Sequence, residues 1–175
     1  ETALKAIAQD FPADAKPLEE LAALYKQQGR EKEALATLED AYRRQPEDVD
    51  LRIKLGIERQ TSWDIDGAVE MFESVIQRVP DHSEALLLLG ILSEQTNRID
   101  RLRDIQETAT RNSADAGATA FLTALLYRRD KRFDEGLAIL ATVPDTIEPI
   151  RRAQLEGQFH DRMNHPEEAF AAFER

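Results

Sequence analysis

The sequence predicts an all-α protein, a solenoid of antiparallel helix pairs, and three observations predict it. Only seven glycines and seven prolines are spread over 175 residues, so turn residues are scarce and helix-forming residues predominate. Apolar residues recur three and four positions apart, as in Leu18, Leu21 and Tyr25, which indicates one buried stripe on each helix. Several residue types also repeat every 34 positions, a spacing typical of stacked helix pairs.

The 34-residue period is kept by prolines, leucines and two sets of small residues. The members are Pro12, Pro46 and Pro80; Leu21, Leu55 and Leu89; Ala22, Gly56 and Gly90; and Ala34 and Ala68. The small residues Ala22, Gly56 and Gly90 are expected where two antiparallel helices approach most closely. One helix pair buries too little surface to be stable alone, so stacking on neighbouring pairs supplies the core.

The period divides the chain into tandem repeats within one array. The ranges are 1–14 (partial), 15–48, 49–82, 83–116, 117–149 and 150–175 (partial), the last beginning after a one-residue deletion. We expect this array to be a fragment of a longer protein, because the sequence does not begin with Met and its last helix has no polar capping helix after it.

Residues at the ends of the predicted helices carry their own signals. Gly29, Asn97 and Asn164 are expected to end first helices, since glycine and asparagine tolerate the left-handed conformation. The prolines at 46 and 80 are expected to end second helices. Asp14 and Asp48 precede first helices, where an aspartate side chain can accept a hydrogen bond from a free backbone N–H.

Residues 15–48 resemble one nearly complete tetratricopeptide repeat (TPR). The matching residues are Leu18, Leu21, Ala22 and Tyr25 on the first helix, Gly29 at the turn, Ala34, Leu38 and Ala41 on the second helix, and Pro46 at its end. The resemblance extends over essentially the whole chain, although Arg52 and Arg59 stand where the family usually has apolar or aromatic residues. It implies a right-handed superhelical solenoid and a scaffold without catalysis or cofactor. Such a scaffold binds protein segments in a concave groove lined by first helices.

Charge and composition disfavour several classes of function. The formal net charge is -11, whereas a nucleic-acid binder gains most of its affinity from cationic side chains on phosphates. An anionic membrane surface is disfavoured for the same reason, and no apolar run approaches the roughly 18 residues that a transmembrane helix needs. We therefore expect no nucleic-acid or membrane partner and a cytoplasmic location, with an upstream targeting segment left open. The chain has no cysteine, which excludes disulfides, thiolate metal sites and cysteine nucleophiles.

The histidines do not form a metal-binding or catalytic pattern. His160 and His165 are five positions apart, so they would not share one helix face, and His165 falls in a predicted turn. His82 stands alone, and no glycine-rich phosphate loop or nucleophile elbow is present. The sequence therefore predicts no catalytic residue, no metal and no cofactor.

Residues 62–73 imitate a calcium-binding loop. Oxygen-bearing side chains occur at its positions 1, 3 and 5, with Gly67 at position 6 and a glutamate at position 12. Ala68 and Phe72, however, keep the 34-residue register of second helices. We therefore expect residues 66–79 to form a helix, with no bound calcium.

The resemblance also places candidate binding residues on the first helices. An apolar strip is expected at Ile53, Ile57, Leu87, Ile91, Phe121 and Leu125. A basic end is expected beside it at Arg128, Arg129, Arg151 and Arg162. Exposed apolar patches usually mark interaction sites, so the expected partner is a peptide or protein segment with an acidic end. The alternative is that part of the strip packs between neighbouring helices.

Three further observations bear on the partner. The carboxylate clamp of the family requires Lys and Asn in the first repeat, where Glu19 and Ala23 stand here, so a chaperone tail is not expected. Residues 163–175 resemble the last repeat of bacterial proteins in which TPR units precede a sulfotransferase domain, which implies a non-catalytic region that positions substrate or mediates dimerisation. Phe170 and Phe173 lie on a final, uncovered helix, so homodimerisation through that helix is also expected.

Overall fold

The computed structural model describes residues 1–143 and 149–174, and within these ranges it contains α-helices, turns and loops but no strand. Eleven helices are found in the described ranges. They are α1 (Thr2–Asp10), α2 (Lys16–Gln27), α3 (Glu31–Arg44), α4 (Val49–Thr61), α5 (Ile65–Arg78), α6 (Ser83–Gln95), α7 (Ile99–Arg111), α8 (Ala116–Arg129), α9 (Phe133–Leu140), α10 (Pro149–Arg162) and α11 (Pro166–Phe173).

After α1, the helices follow one another as pairs. The pairs are α2–α3, α4–α5, α6–α7, α8–α9 and α10–α11, and three residues join the two helices of each pair. Because these turns are short, paired helices run antiparallel and pack on each other. The fourth and fifth pairs begin at Ala116 and Pro149, one residue before the ranges that the period suggests.

The chain divides into two compact units, residues Glu1–Val75 and Ile76–Arg175. In the first unit, α2 packs against α1 and α3, and α3 packs against α4. Its core contains the fully buried Leu51 and Leu55 together with Leu21 and Tyr25. In the second unit, α6 and α7 pack on each other and on α8, while α10 packs against α9 and α11. Helices α2, α3 and α7 each bury one stripe, as the apolar spacing predicts, whereas α6 and α8 bury side chains around most of their circumference.

The small residues lie at tight helix crossings. A Cβ atom added to Gly56 of α4 would lie 2.5 Å from Cε1 of Phe72 on α5. One added to Gly90 of α6 would lie 2.1 Å from Cδ2 of Leu122 on α8. These distances are far shorter than a carbon–carbon contact allows, so glycine permits the approach of the neighbouring side chain.

The turns within pairs share one backbone conformation. Each has a residue with positive φ, and these residues are Gly29 (69°), Trp63 (65°), Asn97 (59°), Lys131 (60°) and Asn164 (61°). The expectation for Gly29, Asn97 and Asn164 is confirmed. Trp63 and Lys131 stand at the same register position and adopt the same φ, although their Cβ atoms make it less favourable than for glycine or asparagine.

The helix ends agree with the sequence at all but one position. Helices α3 and α5 end two residues before the prolines at 46 and 80. The Asp48 side chain accepts a hydrogen bond from the Leu51 backbone N–H at 2.9 Å, as expected for an N-cap. Asp14 is not the N-cap of α2. Ala15 holds that place in a helical conformation, and the Asp14 side chain accepts from the Lys16 N–H at 2.9 Å instead.

Arg52, which departs from the family pattern, is buried with its hydrogen-bonding needs met. Its side chain is 5% exposed. Its Nε donates to the Pro46 carbonyl at 2.9 Å, and its Nη1 donates to Ser74 Oγ at 3.3 Å. The guanidinium therefore joins the end of α3 to α4 and α5, where an apolar residue would only fill space.

The calcium-like segment forms the start of a helix. Asp64, in its third position, accepts a hydrogen bond from the Gly67 N–H at 3.1 Å, as the cap of α5. Ala68 and Phe72 are fully buried on α5, as their register predicts. His165 lies in the turn after α10, as expected, and the reversal of the chain there brings the centroid of its ring to 6.2 Å from that of His160.

Candidate binding surfaces

The predicted apolar strip is only partly exposed. Ile53, Phe121 and Leu125 are 4%, 3% and 4% exposed, so the expectation of an exposed surface is wrong for these side chains. They face into helix packing, which is the alternative that the sequence left open. Ile57 and Leu87 are half-buried, and so is Ile91.

In the second unit, helices α6, α8 and α10 form a cavity of about 290 Å³ that brings five predicted residues together. They are Ile91, Phe121, Leu125, Arg128 and Arg151. Leu155 of α10 adds to the apolar wall, and the polar rim includes Gln154 and Gln158. The buried Phe121 and Leu125 thus contribute the floor of a cavity instead of an exposed strip.

A second cavity in the same unit, of about 570 Å³, is mainly cationic. It is lined by the predicted Arg128, Arg129 and Arg162, together with Lys131. The carboxylates of Glu94 and Asp161 also line it, and Glu94 is paired with Arg128. The two cavities share Arg128, so apolar and cationic linings adjoin at this residue.

Arg128 is held in place by its neighbours. Its Nη2 lies 2.5 Å from Glu94 Oε1 on α6, and its Nη1 donates to the side-chain oxygen of Gln158 on α10. The side chain of Arg129 similarly donates to that of Asn97. Both guanidinium groups are therefore oriented before any partner arrives, which reduces the entropy lost on binding.

In the first unit, α2 and α4 line a cavity of about 460 Å³ together with residues of α3. It brings Lys16, Glu19, Ala23 and Lys26 of α2 together with the predicted Ile57 of α4. Lys54 and Glu58, which the sequence reasoning missed, also line it. The Lys54 ammonium donates to Glu19, and this hydrogen bond raises the pKa of Lys54.

Glu58 could have been found from the register. The residues at the same position of the other repeats are Leu24, Leu92, Leu126 and Phe159. A single carboxylate at a position that is otherwise apolar indicates a special environment. The spacing of residues along one helix does not reveal it, because the partner of Glu58 lies 32 residues away on α2.

The chain consists of tandem antiparallel helix pairs with small residues at the crossings, and most of the paired helices are 12 to 14 residues long. This arrangement defines an α-helical repeat protein. Two tetratricopeptide repeat family models match the chain, at residues 15–57 and 53–101. The protein is therefore a tetratricopeptide repeat protein, and the fold class expected from the sequence is confirmed.

Solved structures extend the similarity of fold along the chain. A tetratricopeptide repeat protein from Parabacteroides merdae ATCC 43184 is 18% identical, with a TM-score of 0.76, over 99% of this chain and 69% of its own. A thermophilic TPR protein of Thermus thermophilus is 18% identical, with a TM-score of 0.71, over 90% of this chain and 87% of its own. MamA from Desulfovibrio magneticus RS-1 is 23% identical, with a TM-score of 0.61, over 91% of each chain.

No curated protein sequence matches this chain. Among the helices of the described ranges, none combines the length and hydrophobicity that crossing a bilayer requires. Within those ranges, no cluster of three or more histidine or acidic side chains is arranged to hold a metal ion.

Proposed function

We propose that this tetratricopeptide repeat protein is a non-catalytic cytoplasmic adaptor, and that its second unit binds a partner segment with an apolar side chain next to an acidic end. Tetratricopeptide repeats serve generally as protein-interaction scaffolds, and the two family matches support that role here. The observation that carries the finer proposal is that the apolar floor of one cavity and the cationic lining of the other meet at Arg128.

The chemistry of the two linings defines the partner. An apolar side chain would bury its surface against Ile91 and Leu155 above the floor of Phe121 and Leu125. Its neighbouring carboxylates would accept hydrogen bonds from Arg129 and Arg162 in the cationic cavity. Hydrogen bonds to charged groups contribute about 1.5–3 kcal/mol each, enough for selectivity between an acidic and a neutral peptide.

The proposal is tested with defined peptides. We expect a fluorescent peptide that ends in Leu-Glu-Asp with a free carboxylate to bind more tightly than its Leu-Gln-Asn amide, measured by fluorescence anisotropy at physiological salt. Arg129→Gln together with Arg162→Gln should weaken the acidic peptide at least tenfold, and Ile91→Asp should weaken both peptides. Phe121 and Leu125 are unsuitable for substitution because they are buried.

Arg111→Gln is the matched control. Arg111 is an exposed arginine at the end of α7 and lines neither cavity. Arg111→Gln removes one positive charge, as Arg129→Gln and Arg162→Gln each do, and it should leave peptide affinity unchanged. Equal binding of the acidic and neutral peptides by the unmodified protein would refute the proposed specificity.

A homodimer is the second candidate, supported by apolar side chains on α10 and α11. Phe170 and Phe173 are 64% and 53% exposed, and Ile150 is 68% exposed. Such a surface suits contact with a second copy of the chain. That the chain is the non-catalytic repeat region of a sulfotransferase-type enzyme stays a prediction from residues 163–175.

A further inference from the structure

The carboxylate of Glu58 in the first unit is buried but only half satisfied. The residue is 2% exposed. Lys26 Nζ donates to its Oε2 at 2.7 Å, whereas its Oε1 has no hydrogen-bond partner among the described residues. A buried carboxylate oxygen without a donor is costly, and the described residues supply no donor to Oε1.

The fold does not require an acid at this position. The four other repeats have leucine or phenylalanine in the same register, and Leu92 and Phe159 are buried there without polar partners. An ion pair with one buried member in place of apolar residues is weak evidence for stability, because desolvation of the carboxylate offsets the attraction. The acid at position 58 is therefore better explained by recognition than by packing.

Glu58 lines the first-unit cavity of about 460 Å³, which lies within the range of about 300–1,000 Å³ common for ligand sites. The wall beside it is built of aliphatic side chains. They are Ala22, Ala23, Leu38 and Ile57. An apolar wall beside a buried carboxylate that is only half satisfied suits a side chain with an alkyl stem and a cationic tip.

We propose that this cavity receives a lysine side chain of a partner polypeptide, whose ammonium group donates a hydrogen bond to Glu58 Oε1. Lysine fits better than arginine because Lys26 already occupies Oε2. A guanidinium group binds carboxylates best through both oxygens at once, whereas an ammonium group needs only one.

The charges around the cavity allow a cation to enter. Lys26 is paired with Glu58 and Lys54 with Glu19, so these ammonium groups are already neutralised. Lys16 and Glu20 also line the cavity and offset each other in charge. The first unit as a whole has 10 Lys and Arg against 17 Asp and Glu, which attracts a basic segment. This proposal is independent of the acidic-end proposal, which concerns the second unit.

The test is a ¹H–¹⁵N NMR titration of the full chain with Nα-acetyl-lysine methylamide. We expect the amide signals of Ala23, Ile57 and Glu58 to shift and to saturate at millimolar concentration. The same compound with an acetylated ε-amine should cause no shift, and the arginine analogue should bind several-fold more weakly.

Two substitutions separate recognition from structure. Glu58→Gln should weaken the lysine compound at least tenfold, whereas Glu70→Gln, an exposed acid on α5, should leave its affinity unchanged. Lys26→Met opens Oε2, so it should strengthen binding of the arginine analogue more than that of the lysine compound. A purely structural ion pair predicts no gain of binding from Lys26→Met.

Folding of the variants is checked by thermal unfolding. If Glu58→Gln does not fold, Glu58→Leu restores the residue of the other repeats and should fold while losing the titration response. Equal shifts with the free and acetylated amine, or a retained response in a folded Glu58 variant, overturn the proposal. The second-unit arginine substitutions should leave this titration unchanged, so failure of either proposal is distinguishable from failure of the other.

Discussion

Arginine, tyrosine and glutamate form the same local arrangement at two turns, which we name the turn clasp. It consists of Tyr25, Arg30 and Glu33 in one repeat and of Tyr127, Arg132 and Glu135 in another. The guanidinium carbons lie 4.1 Å and 4.3 Å from the two tyrosine ring centroids. In each clasp an arginine nitrogen also donates to the glutamate at 2.6 Å. The clasp fixes the chain as it enters the second helix.

The turn clasp predicts the titration of its acids. Hydrogen bonds from Arg30 and Arg132 lower the pKa of Glu33 and Glu135 below the ordinary 4.5. Because the folded pKa is depressed, the stabilisation is present above pH 4.5 and is lost as the pH falls through the lower folded value. Carboxyl ¹³C NMR should therefore give midpoints below 4.5 for both residues.

Arg132→Gln supplies the control for this titration. It should return the Glu135 midpoint toward 4.5 and leave that of Glu33 in place, since each clasp is local. If the substitution moves both midpoints equally, or moves neither, the hydrogen bond is not the cause of the shift.

At the scale of the helix pair, the crossing of α4 and α5 depends on Gly56. A Cβ atom there would overlap the ring of Phe72, which is fully buried and cannot move aside. Alanine gains about 1 kcal/mol in helix propensity over glycine, but overpacking a rigid core costs about 1–3 kcal/mol. The steric cost is expected to exceed the gain because the overlap is with the ring of a large side chain.

We therefore expect Gly56→Ala to lower the free energy of unfolding by up to about 2 kcal/mol in urea denaturation followed by circular dichroism. Phe72→Leu removes the part of the ring that clashes. The double variant should then be more stable than the sum of the two single effects predicts. Strict additivity of the two changes would contradict the clash.

The sequence predicts those features of a helix pair that are encoded by a few neighbouring residues. The turn at Gly29 and the cap at Asp48 are encoded within a few residues, and both were predictable. The positive φ of Trp63 was not, because bulky residues disfavour it and only the register of the neighbouring repeats indicates it. The prediction that Asp14 caps α2 was wrong, because Ala15 adopts a helical conformation and holds the N-cap position itself.

For the molecule as a whole, the period predicts the repeated pairs but not which side of a first helix is covered. Phe121 keeps the register of a groove residue yet is buried, since packing between helices is decided by neighbouring segments and not by position within one helix. Glu58 was missed for the same reason. Its significance arises from Lys26 and a cavity that form only when α2 and α4 come together.

Self-association is also a property of the whole molecule. If the exposed Phe170 and Phe173 mediate a homodimer, sedimentation velocity should show a mass that rises with concentration. Phe170→Glu should abolish the rise, since a charge in an apolar interface is unfavourable. Trp63→Glu, which removes another exposed aromatic residue outside α11, should leave it unchanged. A single mass at all concentrations would exclude the dimer.

Trp63 has a consequence for how the protein can be observed. It is the only tryptophan in the chain and is 86% exposed, so its indole ring is surrounded by water in the folded state. The fluorescence emission of Trp63 should therefore already lie at long wavelength in the folded protein, and it should change little when the protein unfolds. Trp63 fluorescence would also report binding at the turn between α4 and α5, because any molecule that covers this turn would shift the emission of the indole ring to shorter wavelengths.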